Sequence, residues 1–249
     1  MIIIVLLIYF DLFLRYSLEN FNQTKIEIIV SRYNEDLEWL KDEPFNKYPT
    51  TIYNKGVNDD FFKPDNAKIV KLANVGRCDH TYLYHIVTNY DNNLSENTIF
   101  LPGSTNMPSK NEKAKKQVNE VESHNNTVFL AGKHNNIKTD LYNFTLDNWT
   151  ASDSKNSSLN AESQLELSKI RPFGKWFENH FGSDLIVQYA SMSGILGINK
   201  KHITLRPKSF YETLMAEVSN SSNPEVGHYL ERAWNAVFFG DGIVYIDYF

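Results

Sequence analysis

The chain has 249 residues, of which 42% are hydrophobic and 14% aromatic, and it carries a net charge of −5. That is enough apolar material for one large core or two small ones, and it excludes a disordered chain. The acidic balance excludes the basic face that nucleic acid requires, and the single cysteine, Cys78, excludes an intrachain disulfide and a finger-type zinc site.

The first segment, residues 2–14, is apolar but shorter than the roughly 20 residues of a membrane-spanning helix. Asp11 interrupts it, no positive charge precedes it and no small-residue cleavage site follows. Residues 1–20 read as a signal-anchor that tethers the chain to a membrane or delivers it to a secretory lumen. The alternative is a buried strand or helix packed on a cytoplasmic protein. Seven N-x-S/T sequons begin at Asn22, Asn93, Asn125, Asn143, Asn148, Asn156 and Asn220, and they matter only in a lumen.

Regular structure is predicted from Lys25. Ile26–Val30 reads as a strand, followed by a polar turn and a helix start at Asp36–Trp39. Thr51–Tyr53 is a second strand, ended by Asn54-Lys55-Gly56. AKIVKLANVG is a third, closed by a turn at Asn74-Val75-Gly76. A helix from Arg77 to about Tyr90 and a fourth strand, Asn97–Gly103, follow. Strands alternating with helices at this spacing predict parallel βαβ units. In such sheets ligands bind beyond the carboxyl ends of the strands, where the polar turns of this chain fall.

Residues 104–164 turn polar and read as a variable insertion, with one strand-like run at Thr127–Ala131 and an apolar patch at Leu141–Leu146. A helix is expected near Leu165–Ile170, then the aromatic stretch FGKWFENHFG. LIVQYASMSGILGI reads as one or two buried strands, and a helix opens after Pro207. Asn223-Pro224 is expected to start the last helix, Asn as its cap and Pro in its first turn. Val226, Leu230, Ala233 and Val237 form its apolar stripe. The expected fold class is therefore α/β: one Rossmann-like domain over residues 25–249, its mostly parallel central sheet flanked by helices, plus the polar insertion.

In the helix after Gly76, Leu83, Ile86, Val87 and Tyr90 form the core face. Arg77, Thr81, Tyr84 and Thr88 lie opposite, flanked by His80 and His85. An Arg beside the free N–H groups of a helix start suits a phosphate; an ordinary solvated face is the alternative. On the last helix His228 and Glu231 project away from the apolar stripe, and Glu225 stands in the first turn. A carboxylate or imidazole there is a candidate base for deprotonating an acceptor hydroxyl; dipole complementation and surface pairs are the alternative. The binding residues expected at the strand ends are Ser31, Arg32, Tyr33, Asn34, Glu35, Asn54, Lys55, Asn74, Gly76, Arg77, His80, Tyr84 and Gly103.

SRYNEDLEWL, IYNKG, NVGRCDHTYLYHIVTNYD, FLPG, GILGI, RPKSFYETL and NPEVGHYLERAW together resemble the domain-of-unknown-function family 3431 over most of residues 26–240. Their order is also similar to that of GT-A glycosyltransferases. That resemblance implies a GT-A-like domain holding a nucleotide-activated sugar at Ser31–Glu35 and transferring it to a hydroxyl of a glycan or protein acceptor. An acidic helix near the C-terminus would supply the base, here Glu225 or Glu231. Where the family's metal-binding D-x-D should stand, the chain has Leu101-Pro102-Gly103-Ser104. No cofactor is therefore expected, and a divalent metal, if one binds, would lack its usual oxygen ligands. Arg32, Lys55 or Arg77 would then neutralise the leaving group. The alternative is a non-catalytic carbohydrate- or nucleotide-binding module of the same fold.

Overall fold

The computed structural model describes residues 26–133, 141–147, 165–187 and 189–248. The expected signal-anchor and the sequons at Asn22, Asn148 and Asn156 lie outside the described residues. Among the described residues, no helix is long and apolar enough to cross a membrane.

Strand β1 (Ile26–Arg32) is buried along almost its whole length, which a strand achieves only when both sheet faces are covered. It lies between β2 (Thr50–Asn54) and β4 (Asn97–Pro102), parallel to both, with Val30 opposite Ile52 on one side and Leu101 on the other. Beyond β2 lies β3 (Lys68–Lys71), also parallel. On the far side of β4 come β8 (Leu196–Asn199), β5 (Val128–Lys133) and β10 (Val244–Asp247), and β7 (Tyr189–Ala190) pairs with β5. Only β8 and β7 run antiparallel to their neighbours in this sheet, so the mostly parallel α/β sheet is as expected.

Parallel neighbours need crossover connections. Helix α1 (Arg77–Asn89) joins β3 to β4, and α2 (Pro108–His124) joins β4 to β5. The two faces of the sheet divide the core by the period-2 alternation of strands. Ile29, Phe100 and Phe129 meet Tyr82, Leu83 and Ile86 of α1, Trp176 of α3 (Phe173–Phe181) and Trp234 further on. Ile28, Val30, Ile99 and Leu101 point the other way, onto Trp39, Phe45 and the α2 residues Ala114, Val118 and Val121. After β8 come the single turn α4 (Lys200–Ile203), then α5 (Lys208–Glu217) and α6 (Glu225–Val237), the last two packed on α1.

Four expectations need correction. The expected insertion begins with regular structure: α2 spans 17 residues, and its apolar stripe is only Ala114, Val118 and Val121 within a Lys- and Asn-rich run. Pro108 opens it and Asn125, left-handed at φ 47°, closes it. Leu165–Ile170 is not a helix. Its first two residues form β6 (Leu165–Glu166), which pairs in parallel with β9 (Asn223–Pro224), and the helix comes one step later as α3. Asn223 does not cap α6. It lies in β9, Pro224 precedes the helix in extended conformation, and the Asn223 amide is used elsewhere. The helix start at Asp36–Trp39 is a 3-10 turn, Glu38–Lys41.

Candidate functional site

The chain passes from β1 to β2 and β3 on one side of β1, then crosses to β4 on the other. This reversal puts the topological switch point between β1 and β4, and in an open α/β sheet the crevice beyond the strand carboxyl ends at that point is the usual ligand position. The turns after β1, β2 and β4 and the start of α1 meet there.

Several of the expected binding residues are committed to building this crevice. Ser31 Oγ lies 2.8 Å from Thr81 Oγ1 and ties β1 to α1. Arg32 is 1% exposed and turned inward. It donates to Glu35 O (2.8 Å), Tyr33 O (3.2 Å), Asn54 Oδ1 (2.8 Å) and Asn58 O (2.9 Å), and its guanidinium stacks on Phe61. Asn54 is fully buried, and its amide donates to Asn58 O and Asp59 Oδ1. These contacts pin the turn Tyr33-Asn34-Glu35. There Tyr33 N donates to Glu35 Oε2 at 2.7 Å, Asn34 Oδ1 stands over Gly56, and Gly103 lies beneath the Glu35 carboxylate.

Lys55 is buried, and its ammonium donates to Val75 O and Arg77 O. Burial lowers its pKa to about 8, opposed by Cys78, Asp79 and Glu35. It thereby closes the Asn74-Val75-Gly76 turn, of which Asn74 is exposed. Gly76 (φ 59°) and Arg77 (φ 51°) are both left-handed, so α1 starts abruptly at the crevice. Strained non-glycine backbone of this kind concentrates at functional sites. The Gly76 and Arg77 N–H groups bond to Ser221 O and Ser222 O, so the helix start is not an open anion site. His80 is buried and stacked on Tyr84, its pKa lowered to about 4 by burial and by Lys55.

The proposed bases separate. Glu225 is wholly buried on the far side of α6: its oxygens accept from Leu146 N (2.8 Å) and Ser168 N (2.9 Å) and pair with Arg171 Nε (2.8 Å). His228 and Glu231 instead face the start of α1. Arg77 Nη1 lies 3.2 Å from His228 Nε2 and donates to Asn223 Oδ1 at 3.3 Å. His228 Nδ1 is 4.0 Å from Glu231 Oε2. Burial lowers the His228 pKa to about 3, helped by Arg77 and Arg232, so its imidazole is neutral.

The residue at the centre of this group is Asp79, which does not figure among the expected site residues. It is fully buried and accepts from Trp234 Nε1 at 3.2 Å. Burial, and then the nearby Glu231 carboxylate, raise its pKa to about 7 against the pull of Arg77. The sequence carried a signal for it: Asp79, Leu83, Ile86 and Tyr90 share one helical face, so an acid stands in line with the apolar stripe. Gly227 fits α6 against this carboxyl, because a Cβ there would fall 3.3 Å from Asp79 Oδ2 and 3.2 Å from Arg77 Cδ. Cys78, beside it, has its thiol pKa raised by desolvation and by Asp79, so it is not a thiolate nucleophile.

Two lysines of α2 complete the rim. Lys110 Nζ donates to Ser104 Oγ and Lys113 Nζ to Met192 O, both at 2.8 Å. Burial lowers Lys113 to about 8 while Glu231 opposes that shift. Four cations (Lys55, Arg77, Lys110 and Lys113) thus surround three carboxyls (Glu35, Asp79 and Glu231). Among the described residues, no three His, Cys, Asp or Glu side chains are grouped to hold a metal ion. The arrangement can bind an anion and move a proton. No curated protein matches the sequence. The profile of the family described as protein of unknown function (DUF3431) matches residues 28–247, and the chain belongs to that family.

Proposed function

We propose that this protein is a GT-A-like transferase that binds a nucleotide-activated sugar in the crevice beyond β1 and β4 and passes the sugar to a hydroxyl acceptor, a glycan or a protein. The observation that carries the reading is the convergence of Arg77, His228 and Glu231 at that crevice, from helices far apart in sequence. In this reading Glu231 takes the acceptor proton as the new C–O bond forms. The breaking C–O bond leaves its electron pair on the diphosphate, whose charge Arg77, Lys110 and Lys113 neutralise without a D-x-D metal. Glu225 has no part in it, since its oxygens are held by Arg171 and two backbone N–H groups. Residence in a secretory lumen, or attachment to its membrane, belongs to the same reading.

The test is a thermal-shift screen of the full chain against UDP-, GDP-, CMP- and dTDP-sugars, with and without manganese. A ligand that binds only the native state raises the melting temperature. The expected result is a rise with one nucleotide that needs no metal and disappears in Arg77→Ala. No rise with any nucleotide, but one with free glycans, would replace the transferase with the carbohydrate-binding module.

A further inference from the structure

Strand β9 separates two polar environments. Asn223 turns its amide to Arg77 and His228, whereas the next residue, Pro224, lines a second cavity, as the alternation of a strand allows. This cavity, of about 180 Å³, lies between the β6–β9 pair, the loop that follows β6, α3 and the end of α5. Leu167, Ile170, Trp176, Pro224 and Val226 give it apolar walls. An apolar cavity of about 150 Å³ holds benzene, so this one has room for a single small ring.

One charged group is fixed on its wall. Glu217 Oε2 accepts from Trp176 Nε1 at 2.7 Å, and Oε1 lies 2.8 Å from His180 Nε2, without the alignment of a hydrogen bond. The Glu217 side chain is 30% exposed. Burial opposes its charge, but His180 and Trp176 hold its pKa below the usual carboxylate value, so it is ionised at neutral pH. Glu166 and Lys169, the other charged residues of the lining, are both exposed and of opposite sign. Two carboxylates against one ammonium leave the lining with a net negative charge.

We propose that this cavity binds a small organic cation, a primary amine carried on a single apolar or aromatic ring, with Glu217 accepting from the ammonium and Trp176 packing on the ring. A carboxylate oxygen has two lone pairs, so the bond from Trp176 leaves Glu217 with acceptors to spare. Trp176 has already given its N–H to Glu217, and its indole offers the cavity only apolar surface. A carboxylate among apolar walls is stabilised by a cation and repels an anion. The size of the cavity excludes a peptide or an oligosaccharide. The site shares none of these residues with the crevice and does not rest on the transferase reading.

The experiment follows the Trp176 indole N–H resonance of the 15N-labelled full chain during titration with benzylamine, benzyl alcohol and benzoate. The three share a ring and differ in charge. The expected result is a saturable shift with benzylamine at about tenfold or more higher affinity than benzyl alcohol, and none with benzoate. Glu217→Gln keeps an oxygen for the Trp176 N–H but removes the charge, and it should weaken benzylamine by about tenfold while leaving benzyl alcohol unchanged. If that variant does not fold, Leu167→Lys takes its place. Leu167 is 49% exposed, so the core is spared, and a cation added at the wall should weaken benzylamine alone. Equal affinity for the amine and the alcohol overturns the proposal. So does an amine affinity unchanged in the variant, or the lack of a saturable shift with benzylamine.

Discussion

Arg77 Nη1 and His228 Nε2 lie 3.2 Å apart although 151 positions separate them in sequence. A cation set against an imidazole favours the neutral ring, in the same direction as burial, and both hold the His228 pKa at about 3. Arg77→Met should therefore raise it, while leaving it below the usual histidine value because burial remains. Imidazole resonances followed by NMR against pH would show the rise, and an unchanged midpoint would mean that burial alone sets it.

Acid should destabilise the protein through its histidines. His80, His85 and His228 have folded-state pKa values of about 4, 3 and 3, against 6.5 when unfolded. Between these limits the unfolded chain binds more protons, so stability falls as pH drops from about 6.5 toward 3. Asp79 works in the opposite sense. Its folded pKa of about 7 exceeds the usual 3.8, so its contribution is complete below pH 4 and is lost as pH rises through 7. Three groups outweigh one, and the melting temperature should rise from pH 4 to 6.5. It should rise more steeply in Asp79→Asn, which lacks the opposing group; equal slopes would mean that Asp79 titrates alike in both states.

Glu225 is a structural clamp at the first turn of α6. Replacing it with Ala leaves the Leu146 and Ser168 N–H groups and the Arg171 Nε–H without their acceptor, while Arg171 Nη2 keeps Asp147. Loss of these bonds should cost on the order of 2 kcal/mol or more. A denaturant midpoint equal to wild type would show that water or another group replaces the carboxylate.

Gly76→Ala should destabilise more than its size suggests. Gly76 sits at φ 59°, and a Cβ there runs into the Val218 carbonyl oxygen and the His80 Cβ. Left-handed strain alone costs about 1–3 kcal/mol, and the displaced α1 start would also move Arg77. Calorimetric melting would show the loss, and a melting temperature within a degree of wild type would show that the turn adapts.

The sheet was largely legible because its strands are short, apolar and evenly spaced, as at Ile26–Val30 and Asn97–Gly103. Helix α1 was read from Leu83, Ile86 and Tyr90 at helical spacing. Helix α2 was obscured because only Ala114, Val118 and Val121 mark its buried face, and the lysines around them mimic a solvated loop. Asn223 carries a cap signature in the sequence, but its amide lies within reach of Arg77 and His228, and that tertiary contact outweighs the local preference.

What the sequence determined by itself was the order and type of most elements and the gathering of polar turns at the strand ends, since both follow from local periodicity and turn chemistry. The tertiary structure alone decided which of those polar residues face the crevice. Arg32 and Glu225 look as available in sequence as Arg77 and Glu231, yet packing turns the first two inward onto backbone groups. The same packing of α6 against α1 sets Trp234 on the Asp79 carboxyl, a juxtaposition across 155 residues that no local pattern encodes.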